Sequence, residues 1–409
     1  MTTPAPTTPA TTPRSRRAVR LTGVDLARGL AVLGMIAVHS LLDATDDGEP
    51  TFMYRISAGH AAAMFAVLAG VAIAFLSGRG QVTRGPRATG ITAALAARAA
   101  VIGLIGLTLG YTHVDYGVVI LTYYAVMFLL AIPLIFLSTR TVAVVAVAVT
   151  GLAPVVSQLV RPHLPEVLAR QISWETLLHK PFDTASQLLF TGEFPALVWM
   201  SYICVGIVVG RMDLRSVRTS TILAGVGAVL FVLAQAVSWT LLHPFEGLTH
   251  LMSLSDPDTV EELIAFGGDG WVPTDTWWWM SVATPHTGTA LDLTATIGSS
   301  LLGLGLCLLL FQIRRPGLER VVRIMTSPLV AIGTMSLTVY VAHIAFINSD
   351  FDVYGPWEGY LRQLLVMAVA AVAWRATAGR GPLEGLVTSI TSRVRRWAEA
   401  RATARQRQS

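Results

Sequence analysis

The sequence is poor in charge, in cysteine and in lysine, and each scarcity excludes something. Of its 409 residues only 13% are charged, while 53% are hydrophobic. Soluble domains carry about 25% charged residues, so an ordinary water-soluble chain is excluded and an integral membrane protein is indicated. The two cysteines, Cys204 and Cys307, both lie inside apolar runs and offer neither a disulfide framework nor a metal site. No two histidines stand at an HxxH or HxxxH spacing on one helix, so no metal is expected. Lys180 is the only lysine, which leaves almost all positive charge on arginine. Short alternating segments of the outer-membrane barrel type are missing. Neither an internal repeat nor a proline-broken helix near mid-membrane is visible, which weakens an inverted-repeat transporter. Nothing points to nucleic acid as a partner.

What is present is a series of apolar runs near 20 residues, enough to cross a hydrocarbon core of about 30 Å as helices. The expected fold is all-α, a polytopic membrane bundle with about ten spans near 21–42, 58–78, 91–112, 117–138, 141–160, 192–210, 219–242, 289–312, 324–347 and 359–378. Residues 1–20 are Thr/Pro-rich, end in Arg14, Arg16, Arg17 and Arg20, and read as a disordered cytoplasmic tail. The long run that follows has no clear small-residue cleavage site and reads as an uncleaved first span. With both termini inside, 25 of the 30 basic residues fall on the inner side and 20 of the 25 acidic ones outside, the distribution that the positive-inside rule requires. The plasma (inner) membrane is the expected location.

Three segments lie between or beyond the spans. Residues 161–191 carry Leu164, Val167, Leu168, Ile172 and Leu178 at helical spacing, which predicts a surface helix. Residues 243–288 form the longest connection and hold the run Trp277–Trp279, an aromatic belt or a stacking platform for a sugar. Residues 381–409 read as a basic amphipathic cytoplasmic helix with Leu383, Leu386, Ile390, Val394 and Trp397 on its apolar stripe, lying on anionic lipid. The membrane domain proper is 21–380.

The first span carries the densest chemistry. In Leu21–Asp43, Asp25 and Arg28 are spaced for an i,i+3 ion pair. Arg28 and His39 lie close to three turns apart on one face, roughly 16 Å along the axis. Ionisable groups inside a span face the bundle and mark a path or a site, although Asp25 and Arg28 read equally well as interfacial anchors. His60 opens the second span, and His113 and Asp115 follow the third. Ser336, Tyr340 and His343 share a face of the ninth. His163, His179, His243, His250 and His286 fall in outer connections. Histidines gathered at one depth suit general acid–base work on an acceptor. Arg28, Arg79 and Arg98 on the inner side suit a phosphorylated donor, and Arg98, well inside an apolar run, needs a partner such as Asp25 or a phosphate.

Val24-Asp-Leu-Ala-Arg-Gly-Leu-Ala-Val-Leu-Gly-Met-Ile-Ala-Val38 resembles the first-span signature of the heparan-α-glucosaminide N-acetyltransferase family and its bacterial relatives. Phe65–Gly70, Tyr123-Tyr124, Gly206–Arg211, Gly333–Tyr340 and Gly381-Pro-Leu-Glu384 resemble later segments of the same group. The Arg28-x10-His39 spacing is also similar to the motif of the broader membrane acyltransferase 3 family, whose first-span histidine is taken as catalytic. These resemblances imply an enzyme that takes an acyl group from cytoplasmic acyl-CoA, acetyl-CoA above all, and delivers it to a glycan, lipid or small-molecule acceptor at the outer face. They imply His39, assisted by His60 or His343, as catalytic groups, with Arg28, Arg98 and Arg79 holding the CoA. Asp25, His113, Asp115, Tyr124, Ser336 and Tyr340 would support the site. The animal members use a histidine in the connection between the first two spans; residues 41–57 contain none, and His39 and His60 flank that gap. Bilayer, acyl-CoA, acceptor and a second copy of the chain are the partners expected. The competing reading is a transporter or flippase that uses Asp25, Arg28, Arg98, His39 and His343 as a proton or substrate path.

Overall fold

The computed structural model describes residues 21–165, 167 and 171–408. Apart from an isolated bridge between Ala44 and Pro50, its regular structure is helical. In chain order the helices are α1 (Thr22–Ser40), α2 (Phe52–Ser57), α3 (His60–Leu76), α4 (Pro86–Leu109), α5 (Leu121–Leu130), α6 (Thr139–Val160), α7 (Trp174–His179), α8 (Pro181–Ser186) and α9 (Ala196–Arg211). Then come α10 (Val217–Leu242), α11 (Gly247–Leu254), α12 (Pro257–Phe266), α13 (Ala290–Leu310), α14 (Pro316–Thr334), α15 (Ser336–Ile347), α16 (Pro356–Thr377) and α17 (Pro382–Gln408). Helix starts follow local chemistry. α4, α8, α12, α14, α16 and α17 open on proline, whose missing N–H is no loss in a first turn. Side chains of Thr51, Ser138, Asp256 and Thr289 cap four of the helices by accepting from the backbone N–H three residues on.

Six helices among the described residues are long and apolar enough to cross a membrane, and nine spans result if each of three sharply bent pairs counts as one. The ten expected runs all fall on helix, the tenth being the shorter apolar stretch Leu121–Phe136. The run 324–347 differs from expectation. It is two helices, α14 and α15, meeting at 79°. Met335 at the joint has φ −135° and ψ 39°, and Pro328, the helix-breaking residue in this run, lies inside α14 rather than at the joint. Hydropathy is continuous across the break, so periodicity did not reveal it; the absence of broken helices therefore no longer counts against a transport reading.

Two close crossings place α1. A Cβ on Gly29 would strike the backbone of Leu329, and one on Gly333 would strike the Asp25 carbonyl. Small residues at such crossings let membrane helices approach backbone to backbone. They bring the end of α14, and hence the start of α15, against the Asp25–Arg28 turn of α1.

The connections are more ordered than the sequence suggests. Residues 171–191 hold α7, α8 and a π-turn at Gln187–Thr191 instead of one amphipathic helix, and Leu168 of the expected stripe lies outside the described residues. The 243–288 connection folds α11, α12 and a 3₁₀ turn around its own small core of Leu251, Val260, Val272 and Trp279. Its tryptophans are divided: Trp279 is fully buried and donates to Asp275, Trp278 stacks on His250, and Trp277 is exposed. α17 packs along α4, burying Val387, Thr391 and Ala398, whereas Leu386 and Trp397 of the expected apolar stripe are exposed.

Candidate active site

The first and last spans meet at the His39 end of α1. His39 Nδ1 lies 3.1 Å from His343 Nε2, with the two rings parallel. His343, fully buried on α15, places its Nδ1 2.7 Å from Gln363 Oε1 on α16. Gln363 Nε2 in turn donates to Ser40 Oγ at 3.3 Å. With the amide in this orientation, the protons of the chain follow. Gln363 Oε1 accepts from His343 Nδ1–H. The lone pair of His343 Nε2 then accepts from His39 Nδ1–H. His39 Nε2 is left with a free lone pair, the form a general base or nucleophile needs.

Beside His39 is a cavity of about 50 Å³, lined among others by Ser57, Ala61, Phe194, His286 and Tyr340. Space of this size admits a small reacting group and little else. One wall is the 117–120 segment. Gly117 has φ 119°, and a Cβ there would fall 2.6 Å from His39 Nε2. The buried Gln171 clips this segment, accepting from Val119 N and donating to the Gly117 carbonyl. His286 enters from the turn before α13. Its φ is 56°, its ring stacks on Trp199 and meets Phe194 edge-on, and its buried Nδ1 has no hydrogen-bond partner. Burial, with the nearby His60 adding to it, pushes the His286 imidazole down to about 4.

A second cavity, about 640 Å³, lies at the Arg28 end of α1. Arg28, Arg98 and Arg380 line it together with Phe65, Phe75, Tyr124, Phe128, Ser336 and Glu384. Arg28 lies 3.6 Å from Asp25, the i,i+3 pair that the spacing predicts. Arg98 places its guanidinium over the Phe128 ring at 5.2 Å, and its buried Nε has no hydrogen-bond partner. Glu384 reaches from α17 to the break and caps α15, accepting from Leu337 N, Thr338 N and Thr338 Oγ1. A carboxylate suits this position because helix N-termini carry partial positive charge. Between the two cavities stand Tyr124 on the side of the larger and Tyr340 on that of the smaller, both buried with hydroxyls lacking a partner.

The structure thus brings His39, His343 and Tyr340 together, and Arg28, Arg98, Tyr124 and Ser336 together. The remaining sequence candidates lie elsewhere. His60 hydrogen-bonds Ser299 Oγ at 2.8 Å and lines the two neighbouring cavities rather than that of His39. Arg79 binds the carbonyls of Gly210 and Met212 and covers Phe75, pinning the end of α9 outside the arginine cavity. His113 is exposed; its N–H donates to Asn348 and its ring meets Tyr116. The Asp115 side chain lies outside the described residues. Gln363, His286, Gly117 and Arg380 were not singled out by sequence. A buried glutamine and a histidine after proline carry no periodic signal, and only the spatial neighbourhood identifies them. Among the described residues no group of three or more His, Cys, Asp or Glu side chains could hold a metal ion.

No curated protein matches the chain. The family model described as heparan-alpha-glucosaminide N-acetyltransferase, catalytic, matches residues 20–243, more than half of the chain and the part that carries His39, Arg28, Arg98 and Tyr124. With a hydrogen-bonded histidine pair at one end of its first span and an arginine-lined cavity at the other, the chain belongs to this family of membrane acetyltransferases.

Proposed function

We propose that the protein moves an acetyl or other acyl group from cytoplasmic acyl-CoA to a hydroxyl or amine of a cell-envelope glycan, lipid or small molecule at the outer face. In this reading ten spans cross the inner membrane with both termini cytoplasmic. The observation that carries it is the placement of the His39–His343–Gln363 chain and an arginine-lined cavity at opposite ends of one helix.

The larger cavity suits CoA. Arg28, Arg98 and Arg380 offer guanidinium groups for its phosphates, and Phe65, Phe75 and Phe128 offer apolar wall. The roughly 16 Å from Arg28 to His39 is within reach of an extended pantetheine arm, which would carry the thioester past Tyr124 and Tyr340. At His39 the acceptor X–H gives its proton to Nε2 as X bonds the acyl carbon. The C–S bond then breaks, and the leaving thiolate takes that proton from the imidazolium. Meanwhile His343 and Gln363 hold His39 in the tautomer that makes Nε2 the base.

One observation favours the transport reading instead, the 79° break between α14 and α15 beside Arg28, since broken helices form substrate sites in transporters. A single experiment separates the two. Titration calorimetry of the purified protein with acetyl-CoA, followed by an assay of free CoA, should give saturable binding, thiol release and loss of release in His39→Asn. A folded protein that does not bind millimolar acetyl-CoA would overturn the transferase reading and leave transport.

A further inference from the structure

We infer that His286 and Tyr340 form an oxyanion hole that stabilises the acyl carbonyl while His39 acts; this rests on the acyl-transfer reading above. Attack on a thioester places negative charge on the carbonyl oxygen, and the largest single catalytic contribution commonly comes from fixed donors aimed at that charge. Such donors should be buried, held rigidly and without a partner before the substrate arrives. Two groups in the His39 cavity have this character, and they come from separate parts of the chain.

The first is Tyr340, one turn before His343 on α15. It lines the cavity at 4% exposure and its hydroxyl meets no hydrogen-bond acceptor. With no acceptor engaged, the hydroxyl proton is free to be given to an incoming oxygen. The second is His286, whose Nδ1 is buried and unpartnered. An orphaned polar atom of this kind costs stability, and in native proteins it calls for a reason. Its backbone adds a second sign. A left-handed φ at a non-glycine residue is strained and persists only where the surroundings over-determine it, commonly at active sites.

The surroundings here do so. Gly270 N donates to the His286 carbonyl at 2.7 Å, and Gly268 N to that of Pro285 at 2.9 Å. Thr287 Oγ1 donates to Thr284 O, Gly288 N to Asp292 Oδ2 and Thr289 Oγ1 to Val282 O. The turn is therefore fixed on both sides of His286, and Trp199 and Phe194 fix the ring. A neutral imidazole with Nδ1 protonated is a competent electrophile, as in other enzymes that polarise a carbonyl with uncharged histidine. The division of labour is complete: His39 moves the proton between acceptor and thiolate, while His286 Nδ1–H and Tyr340 Oη–H hold the charge on oxygen, which returns to the carbonyl as the C–S bond breaks.

The test uses the full-length protein with acetyl-CoA labelled with ¹³C at the carbonyl. Two readouts are followed: CoA release with water as acceptor, and the infrared C=O stretch of the bound thioester. Tyr340→Phe removes one oxygen and keeps the ring, and His286→Gln keeps an N–H donor where His286→Ala does not. Each donor lost should lower kcat by about 10²–10³, with KM for acetyl-CoA unchanged. The bound C=O stretch should lie below its value in water for the native protein, return towards that value in Tyr340→Phe and His286→Ala, and stay lowered in His286→Gln. Full kcat in Tyr340→Phe and His286→Ala, or a bound stretch identical to that in water, would overturn the oxyanion hole while native CoA release leaves the transferase standing. No acetyl-CoA binding by the native protein would remove both.

Discussion

The two cavities on α1 are built on opposite principles. The arginine cavity is roomy, about 640 Å³, and mixes guanidinium groups with phenylalanine walls. The histidine cavity is about 50 Å³, and its key polar atoms are either locked in the His39–His343–Gln363–Ser40 chain or held without a partner. A site that only binds tolerates slack, because affinity sums over many contacts; a site that reacts does not, because catalysis needs the reacting atoms aligned. Substitutions should therefore split: those in the small cavity lower turnover and spare acetyl-CoA affinity, and those in the large one do the reverse.

The largest effect is expected from His39→Asn, which keeps a polar side chain and removes the base. CoA release should fall by about a hundredfold or more with acetyl-CoA binding retained in calorimetry. Equal losses of binding and turnover would mean that the two cavities are not separate in function. Gly117→Ala tests whether the small cavity is as intolerant as described. The new Cβ meets His39 Nε2 and sits at a φ of 119°, so turnover should drop by roughly tenfold or more and the fold should lose about 1–3 kcal/mol, read by thermal unfolding.

Arg98→Leu probes the other side. It should weaken acetyl-CoA binding by about tenfold, the loss of one charge-assisted contact, while the empty protein becomes no less heat-stable. The second half follows because the native side chain buries an Nε without a partner. A falling melting temperature together with unchanged affinity would show that Arg98 serves the fold instead. Glu384→Gln should be the mildest, costing about 1 kcal/mol through the weakened cap of α15. Thermal unfolding would register it as a small downward shift.

Much of the architecture was legible because bilayer spans announce themselves by length and hydropathy. Arg28 and Asp25 paired as their spacing required, and Ser336, Tyr340 and His343 lie on one helix as read. The break at Met335 was not legible, since the chain stays apolar through it and the carboxylate that caps the helix after it, Glu384, belongs to another helix. The partner of His39 was equally hidden, because His343 is 304 residues away and no local rule selects it among nine histidines. His60 looked as eligible as His343 but faces Ser299 and Phe231. His286 lay in a connection where sequence offers only a turn, and its importance rests on tertiary bonds to residues such as Gly268 and Gly270.

The His39–His343–Gln363 chain also bears on how the protein is made. Its members come from the first helix and from the last two before α17, so most of the polypeptide must be synthesised and inserted between the first and the third. Chains emerge from the ribosome N-terminus first, and a partly made protein therefore carries His39 with neither its partner nor the tautomer that partner imposes. In the proposed mechanism the reacting centre is complete only when α16 docks, near the end of synthesis. A product that ends before α16 would lack Gln363 and also Arg380 and Glu384, which complete the arginine cavity, so in the proposed mechanism it could neither hold acetyl-CoA nor consume it while it waits to be completed or degraded.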